Sequence, residues 1–300
     1  MIEATNVSKT FGNIKAVDKV SAVIEEGAVF GLIGTNGAGK STFLRMIAGI
    51  LKAEEGKILV DEEPIFENEM AKHKLFYISD EQFFFPSATP LDMKRFYQTI
   101  YPEFDGMRFL QMLEKFELSG SRKINSFSKG MKKQISILLG ICSHTPYLLC
   151  DETFDGLDPV MRQAVKSIFV KEMEERSFTP IIASHNLREL EDICDHIGLL
   201  HKGGILLSKD LEDMKLNIHK LQCVFQTEEA LPYLRKVLEI LQEEQRGSLV
   251  TITVRGKREY IEQMIIARKP IFYELLPLSL EEIFISETEV VGYDIKSFIL

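Results

Sequence analysis

The stretch Gly34-Thr35-Asn36-Gly37-Ala38-Gly39-Lys40-Ser41 decides the fold. It fits G-x-x-x-x-G-K-[ST], follows the apolar run Val29-Phe30-Gly31-Leu32-Ile33, and opens a segment, Thr42-Phe43-Leu44-Arg45-Met46-Ile47, with helical spacing. Glycines let backbone N–H groups wrap a phosphate chain, a lysine at Lys40 reaches the β- and γ-oxygens, and the Ser41 hydroxyl faces a magnesium ion. Strand, glycine loop and helix in that order imply a bound nucleoside triphosphate.

Working outward, the first 60 residues alternate strand-like pieces with glycine turns (IEATNVSKTFG, NIKAV, KVSAVIEEG), which predicts an antiparallel sheet leading into a buried strand. GKILVDEEP and KLFYISDEQ predict further strands. From Pro90 to about Ile124 the periodicity turns helical, as an insertion. The order then runs: a helix from Ser128, the strand YLLCDE, the helix PVMRQAVKSIFVKEMEER, the strand PIIASH, the helix NLRELEDICD and the hairpin IGLLHKGGILLSKD. Alternating strands and helices predict a mostly parallel sheet. Beyond Lys215 the pattern is a strand HKLQCVFQT, one helix over EEALPYLRKVLEILQEEQ, the strand SLVTITVRG, the helix REYIEQMIIARK, then IFYELL and SLEEIF. That β-α-β-α-β order predicts a small α+β appendix.

Composition bounds the function. The 300-residue chain carries a net charge of −9, which argues against a nucleic-acid binder working through a broad basic surface. Cys142, Cys150, Cys194 and Cys223 have no metal-ligand spacing and are expected to be reduced packing residues of a cytosolic protein. MIEATNVSK lacks the basic start and apolar stretch of a signal peptide. The longest apolar runs fall short of the roughly 20 residues that span a bilayer, so a membrane role would belong to a partner.

Several residues outside the glycine loop carry candidate chemistry. Asp151 and Glu152 stand just past the apolar strand Tyr147-Leu148-Leu149-Cys150, where ligands gather at the carboxyl ends of parallel strands. Asp151 could hold the metal through water and Glu152 could polarise an attacking water. Phe11, before a glycine, could stack on a base or pack in the sheet. Gln82, leaving a strand, could bind metal or water with its amide. His185, at a strand end, could hydrogen-bond a γ-phosphate or serve the structure alone. Ser128, ahead of Gly130 and the run Ile135-Ser136-Ile137-Leu138-Leu139, either caps a helix or opens an anion site at its N-terminus.

Together these residues resemble the nucleotide-binding subunit of ABC transporters, over residues 2 to about 214. The resemblance implies an α/β P-loop NTPase of ABC type: a mostly parallel core sheet, an antiparallel β subdomain and a helical subdomain at about 86–142, followed by a small C-terminal α+β appendix. Residues 1–214 would be the nucleotide-binding domain and 215–300 an accessory domain. It aligns Phe11 with the adenine-stacking aromatic, Gly34 to Thr42 with Walker A, Gln82 with the Q-loop, Asp151 and Glu152 with Walker B, Phe154 to Pro159 with the D-loop region, and His185 with the switch histidine. Phe127-Ser128-Lys129-Gly130-Met131 stands where the family has LSGGQ, with Lys129 and Met131 as departures. In that family two subunits close head to tail, so Ser128 and the Gly130 amide would meet the partner's γ-phosphate.

The resemblance further implies ATP and Mg2+ as ligands, hydrolysis, a homodimer or heterodimer of nucleotide-binding subunits, and a separately encoded transmembrane permease. The chain would sit in the cytoplasm, peripheral on the inner face of the membrane. Within the family, FFFPSATPLDMKRFYQTIYPEFD, the SKGM signature and the ending SLEEIF look most like bacterial ABC-2-type exporter ATPases, which points to peptides, antibiotics or other amphipathic cargo. The competing expectation is a soluble ATPase of the same type acting on a protein complex without a membrane partner.

Overall fold

The computed structural model describes residues 1–290 apart from Asp192 and Glu228. The chain divides into two units, the first ending at Ser208 and the second starting at Lys209. The expected boundary at 214/215 falls inside a short helix of the second unit, and the expected accessory domain's last residues, 291–300, lie outside the described residues.

In the first unit, β1 (Ile2–Phe11) and β2 (Ile14–Ile24) form an antiparallel pair joined at Gly12, whose φ is 58°. β3 (Phe30–Ile33) then leads to α1 (Lys40–Ile47). β4 (Glu55–Val60) and β5 (Glu63–Pro64) complete an antiparallel sheet in the order β2-β1-β4-β5. The expected antiparallel start is present.

The short α2 (Glu69–Lys72) precedes β6 (Leu75–Ile78). The helical insertion holds α3 (Pro90–Ile100) and α4 (Gly106–Lys115), and a 3-10 turn leads into α5 (Lys129–Cys142). Each starts where its sequence supplies a cap. Thr89 and Asp92 close a capping box with Pro90 at the first helical position, Asp105 accepts from the Arg108 N–H at 2.8 Å, and Ser128 accepts from the Met131 N–H at 3.2 Å.

β7 (Tyr147–Asp151), α6 (Pro159–Glu175), β8 (Thr179–Ser184), α7 (Leu187–Glu191), β9 (His196–His201) and β10 (Gly204–Asp210) follow. The second sheet runs β10-β9-β3-β8-β7-β6, with β9, β3, β8, β7 and β6 parallel neighbours. Strands covered on both faces read as unbroken apolar runs, and every residue of β3, β7 and β8 is buried. Phe43, Leu44, Met46 and Ile47 of α1 share one core with Ile2 and Val7 of the first sheet and Leu32 and Leu149 of the second. The glycine loop is thereby anchored at both ends by buried structure. The expected helix NLRELEDICD is shorter than its sequence suggests, as α7 shows.

The second unit contains α8 (Leu211–Asn217), β11 (Ile218–Val224), α9 (Ala230–Val237), β12 (Glu239–Arg246), β13 (Leu249–Arg255), α10 (Arg258–Ile266), β14 (Phe272–Pro277) and α11 (Leu280–Val290). Here the expectation needs correction. The single helix expected over 228–245 is a helix followed by a strand, and Glu228 lies outside the described residues. The order is β-α-β-β-α-β, an antiparallel sheet β12-β13-β11-β14 of the split-βαβ kind. β12 is an edge strand, so most of its residues face solvent and it lacks the apolar alternation that marks a strand. Leu221, Leu234, Ile252, Ile261 and Leu275 build a core belonging to this unit.

Candidate functional site

The glycine loop holds its shape through positions where a side chain would not fit. Gly39 has φ 102°, and a Cβ there would lie 2.1 Å from the Ala16 carbonyl oxygen. At Gly34 a Cβ would lie 2.5 Å from the Leu200 carbonyl oxygen. The Gly203 N–H donates to the Ala38 carbonyl at 3.1 Å, tying the loop to the β9–β10 turn. No side chain caps α1, so its first N–H groups face the loop interior.

Lys40, buried to 5% exposure, reaches back into the loop. Its ammonium donates to the Gly34 and Thr35 carbonyls at 2.8 and 3.3 Å and pairs with Glu152 Oε1 at 3.3 Å. Ser41 Oγ donates to Asp151 Oδ1 at 2.9 Å. The other carboxylate oxygen of Asp151 accepts from the Tyr77 hydroxyl at 3.0 Å, and Arg45 Nε donates to that hydroxyl at 3.4 Å. Burial pushes the Asp151 carboxyl above its usual range, while the Ser41 and Tyr77 hydrogen bonds and Arg45 oppose the rise. Burial and the Asp151 charge push Tyr77 up to about 12, so the hydroxyl keeps its proton and donates.

Glu152 takes up a left-handed backbone, φ 48°, which is uncommon for a residue with a Cβ. Its N–H donates to the Ala183 carbonyl at 3.0 Å, and its Oε2 meets His185 Nδ1 at 2.8 Å. Glu152 therefore stands between the Lys40 ammonium and the His185 ring. A cleft of about 540 Å³ opens above them, lined by residues 36–42 together with Ile14, Asp80, Glu152, Asp155 and His185.

The structure thus brings together Asn36, Gly37, Ala38, Gly39, Lys40, Ser41, Thr42, Glu152 and His185 around one cleft, with Gly34 and Asp151 beneath it. Phe11 is 48% exposed, with Lys9 Nζ 5.7 Å from its ring, so it is not a core residue. Its strand partner Ile14 lines the cleft. Gln82 is placed elsewhere: its amide donates to the Ser79 and Asp80 carbonyls at 3.1 and 2.7 Å, and Asp80 lines the cleft instead. Ser128 and Gly130 stand at the start of α5, where a Cβ on Gly130 would lie 3.3 Å from the Gly156 carbonyl oxygen.

Sequence reasoning missed Tyr77, Asp80 and Lys133. Tyr77 sits in an apolar strand and reads as core, and Asp80 is one of several polar residues in a loop without period. Lys133 carried a usable signal: it falls at i, i+4, i+7 with Ile137 and Gly140 on a buried helix face. The four cysteines are buried free thiols, and burial pushes Cys142, Cys150 and Cys223 up to about 12.

A phosphate-wrapping glycine loop on a parallel sheet, with an acidic pair at the end of the next strand but one, defines a P-loop nucleoside triphosphatase. The family model for ABC transporters matches residues 17–155. The ABC transporter ATP-binding protein YtrB of Bacillus subtilis (strain 168) is 32% identical over 96% of this chain and 98% of its own. The bacitracin transport ATP-binding protein BcrA of Bacillus licheniformis is 28% identical over 72% of this chain and 71% of its own. A solved ATP-binding subunit of an ABC transporter superposes with a TM-score of 0.66 at 26% identity, covering 72% of this chain and 92% of its own. The chain belongs to the ATP-binding proteins of ABC transporters: it binds and hydrolyses ATP as the energising subunit of such a transporter. None of the helices among the described residues is long and apolar enough to cross a membrane.

Proposed function

We propose that ATP lies in this cleft with Mg2+, that Glu152 is the general base, and that two such chains close around the nucleotide to drive a separately encoded permease. The observation that carries the reading is Glu152, held between Lys40 and His185 at the mouth of the glycine loop. The loop amides and Lys40 bind the phosphates, Phe11 beside Ile14 offers a face to the adenine, and Glu152 takes a proton from water while His185 orients its carboxylate.

The donor set fits a magnesium ion. Ser41 supplies a hard oxygen, and Asp151, both of whose oxygens already accept hydrogen bonds, would reach the ion through water. Bound there, Mg2+ neutralises phosphate charge during transfer. Asp80, in place of Gln82, is the polar group of the loop after β6 that lines the cleft.

Closure brings Ser128 and the Gly130 amide of one copy to the γ-phosphate in the other, using the open N–H groups at the start of α5. Ser128 is exposed and Gly130 half-buried, which leaves this helix start available to a second copy, identical or related. The permease would dock on the exposed ring cluster of the helical insertion, where Phe83 meets Phe85 at 5.9 Å and Phe85 meets Phe96 at 4.8 Å between centroids. On this reading the chain would sit in the cytoplasm against the inner membrane face. The cargo is a peptide, antibiotic or other amphipathic compound, a reading supported by the bacitracin transport named for BcrA, and its outward movement is supported by the likeness of the SKGM signature and the SLEEIF ending to exporter ATPases.

Glu152→Gln tests the core of this reading. Turnover should fall about 10²–10⁴-fold with ATP binding retained, and the variant should accumulate as an ATP-dependent dimer in gel filtration. Hydrolysis at the wild-type rate would refute the base assignment. Recovery of the chain with a membrane protein from detergent-solubilised membranes tests the permease, and consistent recovery in the soluble fraction alone would refute it.

A further inference from the structure

We propose that Lys133 is a positioning residue of the hydrolytic site, acting through the backbone of Glu152; this rests on the assignment of Glu152 as general base. Lys133 belongs to α5, yet it is only 6% exposed and its ammonium leaves the helix to donate to the Glu152 carbonyl at 2.6 Å. Its second partner is Asp80 Oδ1, at 3.5 Å. One cation therefore joins the helix that opens with Ser128, the loop after β6 and the residue that faces water.

Glu152 needs such a hold. Its left-handed backbone, φ 48°, is disfavoured for a residue with a Cβ, so holding it in one place calls on neighbouring contacts. Two contacts do so: the N–H bond to Ala183 at 3.0 Å fixes one side of the residue, and the Lys133 ammonium fixes the other. A charge-assisted hydrogen bond at this distance is among the stronger kinds available to a carbonyl. The carboxylate is aimed at His185 Nδ1 and Lys40 Nζ, 2.8 and 3.3 Å away, only while that backbone stays in place.

The choice of residue supports the same conclusion. Ile135, Ile137, Leu138 and Leu139 show that α5 is otherwise built for apolar packing. A buried ammonium is costly to desolvate, and packing alone would be served better by leucine or methionine. Asp80 offsets the charge, and the Glu152 carbonyl is the group that gains from it.

The test is a double-mutant cycle on the chain, with hydrolysis rate, binding of a fluorescent ATP analogue and the thermal transition measured for each variant. Lys133→Met should bind the analogue within about threefold of wild type and hydrolyse ATP about 10²-fold more slowly, the cost of a misplaced catalytic group. In the Glu152→Gln background the same substitution should add almost nothing, because its route of action is already gone. Lys133→Met at the wild-type rate, or a rate loss that stays fully additive with Glu152→Gln, overturns the proposal and leaves the base assignment standing. Full turnover in Glu152→Gln alone overturns both. If Lys133→Met loses its thermal transition, Lys133→Gln decides, since it keeps a shorter, uncharged donor: slower hydrolysis with binding retained supports the proposal, and an undiminished rate overturns it.

Discussion

Tyr77→Phe removes one oxygen from the buried end of β6 and leaves the ring in place. The lost hydroxyl donates to Asp151 Oδ2 at 3.0 Å and accepts from Arg45 at 3.4 Å, so the change strips a fully buried carboxylate of one of its two side-chain hydrogen-bond donors. A hydrogen bond to a charged group contributes about 1.5–3 kcal/mol. For a unit the size of Met1–Ser208 each kcal/mol moves the melting temperature by about 2–4 °C, so the expected loss is about 3–12 °C in the unit's transition. The pH dependence has a definite sign. Asp151 already has a raised pKa, so the native state binds more protons than the unfolded chain, and stability falls as pH climbs through the folded value. Removing Tyr77's hydroxyl raises that pKa further, which makes the deficit largest at neutral and alkaline pH and smaller in acid. Differential scanning calorimetry of both proteins at pH 7.5 and pH 5 measures it. A melting temperature within a degree of wild type at pH 7.5, or a deficit that grows in acid, refutes the account of Asp151.

Gly39→Ala should weaken ATP binding by at least about tenfold in a titration with a fluorescent analogue, since a forced left-handed backbone alone costs about 1–3 kcal/mol and the new Cβ would strike the Ala16 carbonyl. Lys129 is exposed in this chain, so Lys129→Gly should leave the ATP dependence of hydrolysis nearly unchanged at low and high salt, whereas Ser128→Arg should block ATP-dependent dimer formation in gel filtration. His219 is 6% exposed and, among the described residues, its Nε2 has no hydrogen-bond partner. Burial lowers its pKa from 6.5, so the stability it permits is present above that value and is lost as pH falls through the depressed folded one. The second unit's transition should therefore soften as pH falls below about 6.5, and His219→Leu should flatten that dependence.

How much of this was legible in the sequence varied with how local the determining physics was. The glycine loop, the acidic pair at the end of β7 and the Ser128 cap of α5 are written in consecutive residues. Their spacing alone placed them. Gln82 and Asp80 show the opposite case: in Ser79-Asp80-Glu81-Gln82 only the path of the loop decides which polar side chain faces the cleft, and no periodicity encodes that path. The stretch Glu239–Arg246 failed for a related reason. Its strand character comes from pairing with β13 at an exposed edge, a tertiary choice that overrode the local preference of a run rich in Glu and Gln. Tyr77 and Lys133 were hidden because their polar ends matter only to residues distant in the chain.

The neighbouring order β3, β8, β7 gives the second sheet a role as a measuring instrument. Lys40 and Ser41 follow β3, His185 follows β8, and Asp151 and Glu152 end β7. The strands are locked in register, with Ile33 opposite Ser184 and Ala183 opposite Asp151. Lateral spacing between these residues is thus an inherited multiple of the interstrand distance, about 4.8 Å, and their height is set by counting residues. Such a gauge tolerates exchange of one apolar side chain for another beneath it, because main-chain bonds carry the calibration. It has no tolerance for miscounting: one residue inserted into β7 or β8 would displace a single member by about 3.3 Å, more than the length of any hydrogen bond that joins Lys40, Glu152 and His185 can absorb.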